Sequence, residues 1–156
     1  MKKHISLLIL SFLVAYGVSA QSIVLINGLY TTEKGDLYSG TYTSVFENGN
    51  KKSTINITDG KANGTITSYY ENGNIMEIGA FVNNEKNGEW SRWDELGHKI
   101  AEAYFVSGKK NGLWLIWDGF GIKRYEMTYA MGEKTGVWFM WDETGKLTSE
   151  KNYSPL

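Results

Sequence analysis

Asp94, Asp118 and Asp142 stand 24 residues apart. A row of carboxylates at fixed spacing is a candidate for calcium binding or for hydrolysis of a glycosidic bond. If each step is a two-stranded hairpin within one sheet, the next aspartate lies about 10 Å away. That gap is too wide for one calcium ion to be shared, since its oxygen ligands sit at about 2.3–2.6 Å. It fits an inverting pair of carboxylates only marginally. Phe46 and Tyr70 fill the same column earlier in the chain, which breaks any chemistry running the length of the row. An aspartate just before a loop caps that loop by accepting backbone N–H groups, and this is the role expected here. Glu102, Glu126 and Glu150 make a second row, and Lys86, Lys110 and Lys134 a third. Both are read as solvation, modest cross-strand pairing and protection of sheet edges. His98, in a turn, is the single histidine after the first twenty residues. No cluster of metal-ligand type, no nucleophile with a base and orienter, and no phosphate-binding or dinucleotide fingerprint accompanies it. The chain is therefore expected to be non-enzymatic, with no catalytic residues, no metal and no cofactor.

The aromatic residues carry the stronger signal. Tyr42, Ile66, Trp90, Trp114 and Trp138 form one column at the 24-residue step, and Val45, Tyr69, Trp93, Trp117 and Trp141 form another three positions on. Ile57, Phe81, Phe105, Tyr129 and Tyr153 form a third. Trp90, Trp114 and Trp138 are expected to pack under their neighbours. For the second column two readings stand. Its rings are further core, or Tyr69, Trp93, Trp117 and Trp141 form a binding face suited to an extended partner such as a peptide strand or a glycan chain. In a regular strand residues three apart point to opposite faces, so Trp90 and Trp93 serve two layers unless a bulge brings both inward.

These side chains must be positioned by short strands and glycine turns. Gly49, Gly73, Gly97, Gly121 and Gly145 keep the 24-residue step, as do Gly40, Gly64, Gly88, Gly112 and Gly136. A fixed period of this length denotes stacked supersecondary units. Asn48-Gly49 and Asn72-Gly73 suit a tight hairpin turn with positive φ at both central residues, whereas a three- to four-residue loop with one left-handed glycine would serve all five sites. The second glycine series is expected to let a neighbouring ring lie on bare backbone. Residues 88–94 and 99–105 read as a strand and its return, and no helical stripe appears after the N-terminal segment.

That segment is of another kind. Lys2 and Lys3 precede an apolar run, Ile5 to Val18, and a small-residue site ending at Ala20. This is the pattern of a cleavable signal peptide, residues 1–20, with a mature start at Gln21 and a destination in the periplasm or outside the cell. The remaining organisation is a lead-in with a partial repeat over 21–36 and five repeats over 37–156. Of 16 Lys and Arg, loss of Lys2 and Lys3 leaves 14 against 17 Asp and Glu, a net charge of −3. That balance excludes a nucleic-acid surface, which needs a basic stripe, and gives no attraction to anionic lipid. No stable membrane insertion is expected after cleavage. Cysteine is absent, so disulfides take no part in stability.

The stretches Asn87-Gly88-Glu89-Trp90-Ser91-Arg92-Trp93-Asp94, Asn111-Gly112-Leu113-Trp114-Leu115-Ile116-Trp117-Asp118 and Thr135-Gly136-Val137-Trp138-Phe139-Met140-Trp141-Asp142 resemble the MORN repeat in its bacterial variant form. Residues 63–73 fit it with substitutions. The resemblance implies an all-β repeat protein, an elongated twisted antiparallel sheet of successive β-hairpins. Many bacterial members carry an antitoxin label, and others are scaffolds, dimerise or have been linked to phospholipids. Three functions are thus in view: an exported scaffold binding a protein or a second copy of itself, a module for a glycan or envelope polymer, and an antitoxin-like inhibitor of a partner protein.

Overall fold

The computed structural model describes residues 22–153, so the expected signal peptide and its cleavage site lie outside the described residues. Thirteen strands follow one another: β1 (Ile23–Ile26), β2 (Leu29–Thr32), β3 (Gly40–Val45), β4 (Lys51–Thr58), β5 (Lys61–Tyr69), β6 (Ile75–Val82), β7 (Glu85–Trp93), β8 (Lys99–Val106), β9 (Lys109–Lys110), β10 (Gly112–Trp117), β11 (Lys123–Ala130), β12 (Glu133–Trp141) and β13 (Leu147–Asn152). From β3 to β13 every strand pairs antiparallel with its neighbour in the chain, with β9 and β10 both laid against β8. The result is a single antiparallel sheet of hairpins, roughly 45 Å across its strands.

Two kinds of turn alternate. At one end of the sheet, Asp59-Gly60, Asn83-Asn84, Ser107-Gly108 and Met131-Gly132 each hold positive φ at both residues, the signature of two-residue hairpin turns with the twist of the flanking strands. At the other end lie five longer loops. In the loop after β7 the Asp94 N–H donates to His98 O at 2.9 Å and Gly97 N–H to Asp94 O at 3.1 Å. The same pair of bonds recurs after β3, β5, β10 and β12. Gly49 and Gly73 have φ of 84° and 89°, while Asn48 and Asn72 keep negative φ. The loop with one left-handed glycine is thus the correct reading of the first glycine series, and the tight two-residue turn belongs to positions the sequence reading had not singled out.

The strands are bulged with the same period. One unmatched residue, Lys52, Met76, Ile100, Arg124 or Thr148, interrupts each pairing just after a long loop. A wider bulge sets Gly88-Glu89-Trp90 opposite Gly79 alone, and its counterparts fall at Gly64 and Gly136. This corrects the reason given for the second glycine series. Gly88, Gly112 and Gly136 have φ of 77°, 67° and 64°, and a Cβ at Gly88 would meet nothing within 4 Å. They are glycines for their backbone angle, as bulges demand; of the three, only Gly112 has a ring beside it, with Tyr104 in ordinary contact with a Cβ placed there. Within the series Gly40 does have a ring over it, that of Tyr38, and the closest approach of all is outside the series at Gly79, where a Cβ would fall inside the Trp90 indole.

The hairpin β1–β2 stands outside the large sheet and clasps its first strands. Tyr30 N–H donates to Gly60 O, Gly60 N–H to Tyr38 O and Tyr38 N–H to Tyr30 O, at 2.8–2.9 Å. The Tyr30 ring meets Tyr42 at 5.3 Å. Together with Tyr38, Ile66 and Phe81 these rings cover the buried cluster Ile55, Ile57 and Ala62. Burial, and then the neighbouring Tyr42, push the Tyr30 phenol above its ordinary pKa.

Candidate functional site

The first and third aromatic columns interleave on one face. Phe81, Trp90, Phe105, Trp114, Tyr129, Trp138 and Tyr153 touch in that order, with ring centroids 5.1, 6.2, 5.1, 5.4, 5.1 and 4.7 Å apart. Each link joins neighbouring strands, and alternate links cross from one repeat to the next. The lysine row lies over this spine. Lys86 is 3.5 Å from the Trp90 ring, Lys110 4.3 Å from Trp114 and Lys134 4.7 Å from Trp138. Each also covers the following ring of the third column. Pairing explains the placement: Lys86 stands opposite Phe81, Lys110 opposite Phe105 and Lys134 opposite Tyr129. The lysines therefore do more than solvate. Their stems shield the rings and their ammonium groups interact with the ring faces. Trp90 at 3% exposure and Tyr129 at 9% are buried even though the sheet is one layer thick. Of the first column only Trp90 is buried; Trp114 and Trp138 are half-buried, but both pack against the rings on either side.

Strand β7 runs without a break in its register with β8 from Gly88 to Arg92, so Trp93 faces away from Trp90 by the ordinary pleat. The bulge beside it, at Ile100, lies on the partner strand. The columns thus serve opposite faces. Tyr69, Trp93, Trp117 and Trp141 sit at the long-loop end of β5, β7, β10 and β12, all half-buried. Lys51 approaches Tyr69 at 5.8 Å, Lys99 approaches Trp93 at 5.9 Å and Lys123 approaches Trp141 at 4.4 Å. Lys99 also bonds Glu102, and Lys123 bonds Glu126 at 2.6 Å. Phe139 meets Trp141 at 5.9 Å. Rings of the second column make no contact with one another, unlike the spine. The adjoining loop tips add Leu96 and Phe120, 80% and 93% exposed. Their position, next to the glycine of each long loop, could have been read as a tip from the sequence.

The aspartate row caps its loops. Asp94 Oδ1 accepts from the Leu96 and His98 N–H groups at 3.0 and 2.8 Å, and Asp118 and Asp142 do the same for their own loops. Desolvation pushes the Asp94 carboxyl up, but the His98 backbone bond and ring, with the Leu96 N–H, outweigh it and hold its pKa below the ordinary range. Asp118 balances likewise: desolvation is overcome by the Ile122 and Phe120 N–H groups and then by Arg124. At Asp142 the Thr144 hydroxyl and the Lys146 N–H lower it. Because the folded pKa values lie below the ordinary 3.8, the loop stabilisation is complete above that value and fades as pH falls through the folded values. Asp94→Asn, Asp118→Asn and Asp142→Asn combined should flatten the loss of urea stability below about pH 4. Unchanged acid sensitivity would show that the carboxylates are not the titrating groups. Among the described residues no three His, Asp or Glu side chains are placed to hold a metal ion.

Residues 62–83 and 134–154 are similar to the family described as MORN repeat variant. These stretches cover the hairpin β5–β6 and the last hairpin β12–β13, each but for its first residue. No match is found among curated proteins.

Proposed function

We propose that this protein is an exported, non-enzymatic interaction module that binds a protein partner, or a second copy of itself, through the face carrying Tyr69, Trp93, Trp117 and Trp141. Repeats of the MORN kind are generally modules that bind proteins or membranes. One observation supports the choice of face: the second-column rings are half-buried, as Trp114 and Trp138 are, but unlike them they make no ring contacts with one another or with the spine that holds the sheet together. Tryptophan and tyrosine in this condition are the residues that dominate binding at interface centres. Lys99–Glu102 and Lys123–Glu126 supply polar surroundings that fix register more than affinity, and Leu96 and Phe120 extend the apolar surface at the same end.

The test replaces Trp93 and Trp117 by alanine together. Loss of two such rings should weaken the complex at least tenfold, about 1.4 kcal/mol, with a smaller loss in the free energy of unfolding. Self-association is read by sedimentation equilibrium of the mature chain, and a heterologous partner by its stoichiometric retention on the wild type and its loss from the variant. Equal weakening of complex and fold would reject this face. Export is checked separately, by a mature N-terminus at Gln21 in protein recovered from outside the cytoplasm.

A further inference from the structure

Between the first two long loops lies a groove of about 580 Å³, with Ile66 of the first column and Tyr69 of the second both in its lining. We propose that it binds a short neutral saccharide. The five loops share one backbone form, but their first residue differs. In the last three it is Asp94, Asp118 or Asp142, whose carboxylate caps the loop. In the first two it is Phe46 or Tyr70, and the cap has moved to Asn48 and Asn72, whose side chains accept from Asn50 and Asn74 N–H at 2.9 Å. The loop fold does not need a ring at that position. Two rings stand there nonetheless, two strands apart and so about 10 Å from each other, walling the groove.

The site is held in shape. The Tyr70 hydroxyl donates to Trp93 O at 2.8 Å. Asn50 Nδ2 donates to Glu71 O at 2.8 Å, and Asn72 and Asn74 Nδ2 both donate to Glu95 O, at 3.0 and 2.8 Å. These bonds tie three successive loops into one rim. The floor is Ile66 with the Ser53 and Ser68 hydroxyls, and the rim carries Lys52, Glu71 and Glu95. Neither carboxylate is in an ion pair, and Lys52 contacts only the Phe46 ring, at 5.6 Å.

Charge and shape then narrow the ligand class. An anion such as phosphate would meet two carboxylates, whereas an organic cation would meet those carboxylates as well as the Lys52 ammonium, so choline is the competitor the experiment must separate. The three charged residues are exposed, which leaves the rings and the serine hydroxyls as the contact surface. A pyranose is neutral, alternates donors and acceptors around its edge, and presents a C–H face to an aromatic wall. Aromatic walls with a few placed polar groups are the general form of a small-ligand site. Tyr69 also lines the groove, but Trp93 and Trp117 do not, so this proposal is tested apart from the partner reading through those two rings.

Calorimetry of the mature chain with cellotriose, maltotriose and chitotriose tests it. At least one should give saturable binding. Tyr70→Leu should weaken that binding at least tenfold, while Tyr70→Phe, which keeps the ring, retains most of it. The Trp117→Ala, Trp141→Ala protein, altered in the partner-binding column but not in the groove lining, should bind the sugar as wild type does. Circular dichroism of each variant reports its fold. Absence of saturable heat with all three sugars up to about 10 mM would overturn the proposal. So would tighter binding of choline or inorganic phosphate than of any sugar, or an unchanged affinity in a folded Tyr70→Leu protein.

Discussion

Replacing Trp90 by alanine is expected to cost about 3–5 kcal/mol in the free energy of unfolding, the range for truncating a buried aromatic. Trp90 is the most buried ring of the spine, touches both Phe81 and Phe105, and lies beneath Lys86. A domain of this size has about 5–15 kcal/mol in all, so the variant should sit at the edge of folding. Trp93→Ala should cost clearly less, because that ring is half-wet. The Trp90 indole N–H has no acceptor, whereas Trp114 and Trp138 donate to Tyr104 O and Thr128 O at 3.1 and 3.0 Å. Trp90→Phe should therefore be tolerated better than Trp114→Phe or Trp138→Phe, each of which removes an indole hydrogen bond, although Tyr104 O keeps its bond from the Asn111 N–H. Urea unfolding of the five single variants checks the order. Equal costs for Trp90→Ala and Trp93→Ala would remove the distinction between spine and open face.

Gly79→Ala is the second large effect. The added methyl would occupy the Trp90 ring, and both backbones are fixed by sheet pairing. Overpacking of this kind costs about 1–3 kcal/mol and more where nothing can yield. The sign of the coupling is the informative part. In a Trp90→Ala background the methyl has space, so Gly79→Ala should cost little there and the two losses should fall short of additive. Simple additivity would mean that the ring does not lie on Gly79. Gly88→Ala should also destabilise, through its φ of 77°, but no truncation of Trp90 should relieve it.

The repeat could be read from residues because the chain restates it. Each long loop keeps its glycine at one step, and each aromatic column returns with it, so the hairpin array and the packing role of Trp90, Trp114 and Trp138 followed from spacing. Asp94, Asp118 and Asp142 were legible as caps because an aspartate before a loop has a local job. What stayed hidden depends on contacts between strands. Gly79 belongs to no series, and its need for glycine arises from a ring carried by the next strand. The role of Lys86, Lys110 and Lys134 depends on register, which sets each opposite a third-column ring. The bulge at Ile100 and its counterparts are defined by two strands at once. The faces of Trp90 and Trp93 were left open for that reason. The clasp of β1 and β2 on Gly60 rests on backbone bonds that no side chain announces. Phe46 and Tyr70 were visible as breaks in the aspartate column, but the compensating Asn48 and Asn72 became meaningful only beside the loop hydrogen bonds.

The aromatic spine can be observed without any variant. Phe105 and Trp114 belong to successive repeats, and their rings are 5.1 Å apart, within range of nuclear Overhauser transfer between ring protons in the folded mature chain. Strong Phe105–Trp114 and Trp138–Tyr153 cross-peaks are expected, with none between Trp114 and Trp117. Cross-peaks joining Trp114 to Trp117, or silence between Phe105 and Trp114 in a folded sample, would contradict a sheet that carries its packed aromatic spine on one face and the second aromatic column on the other.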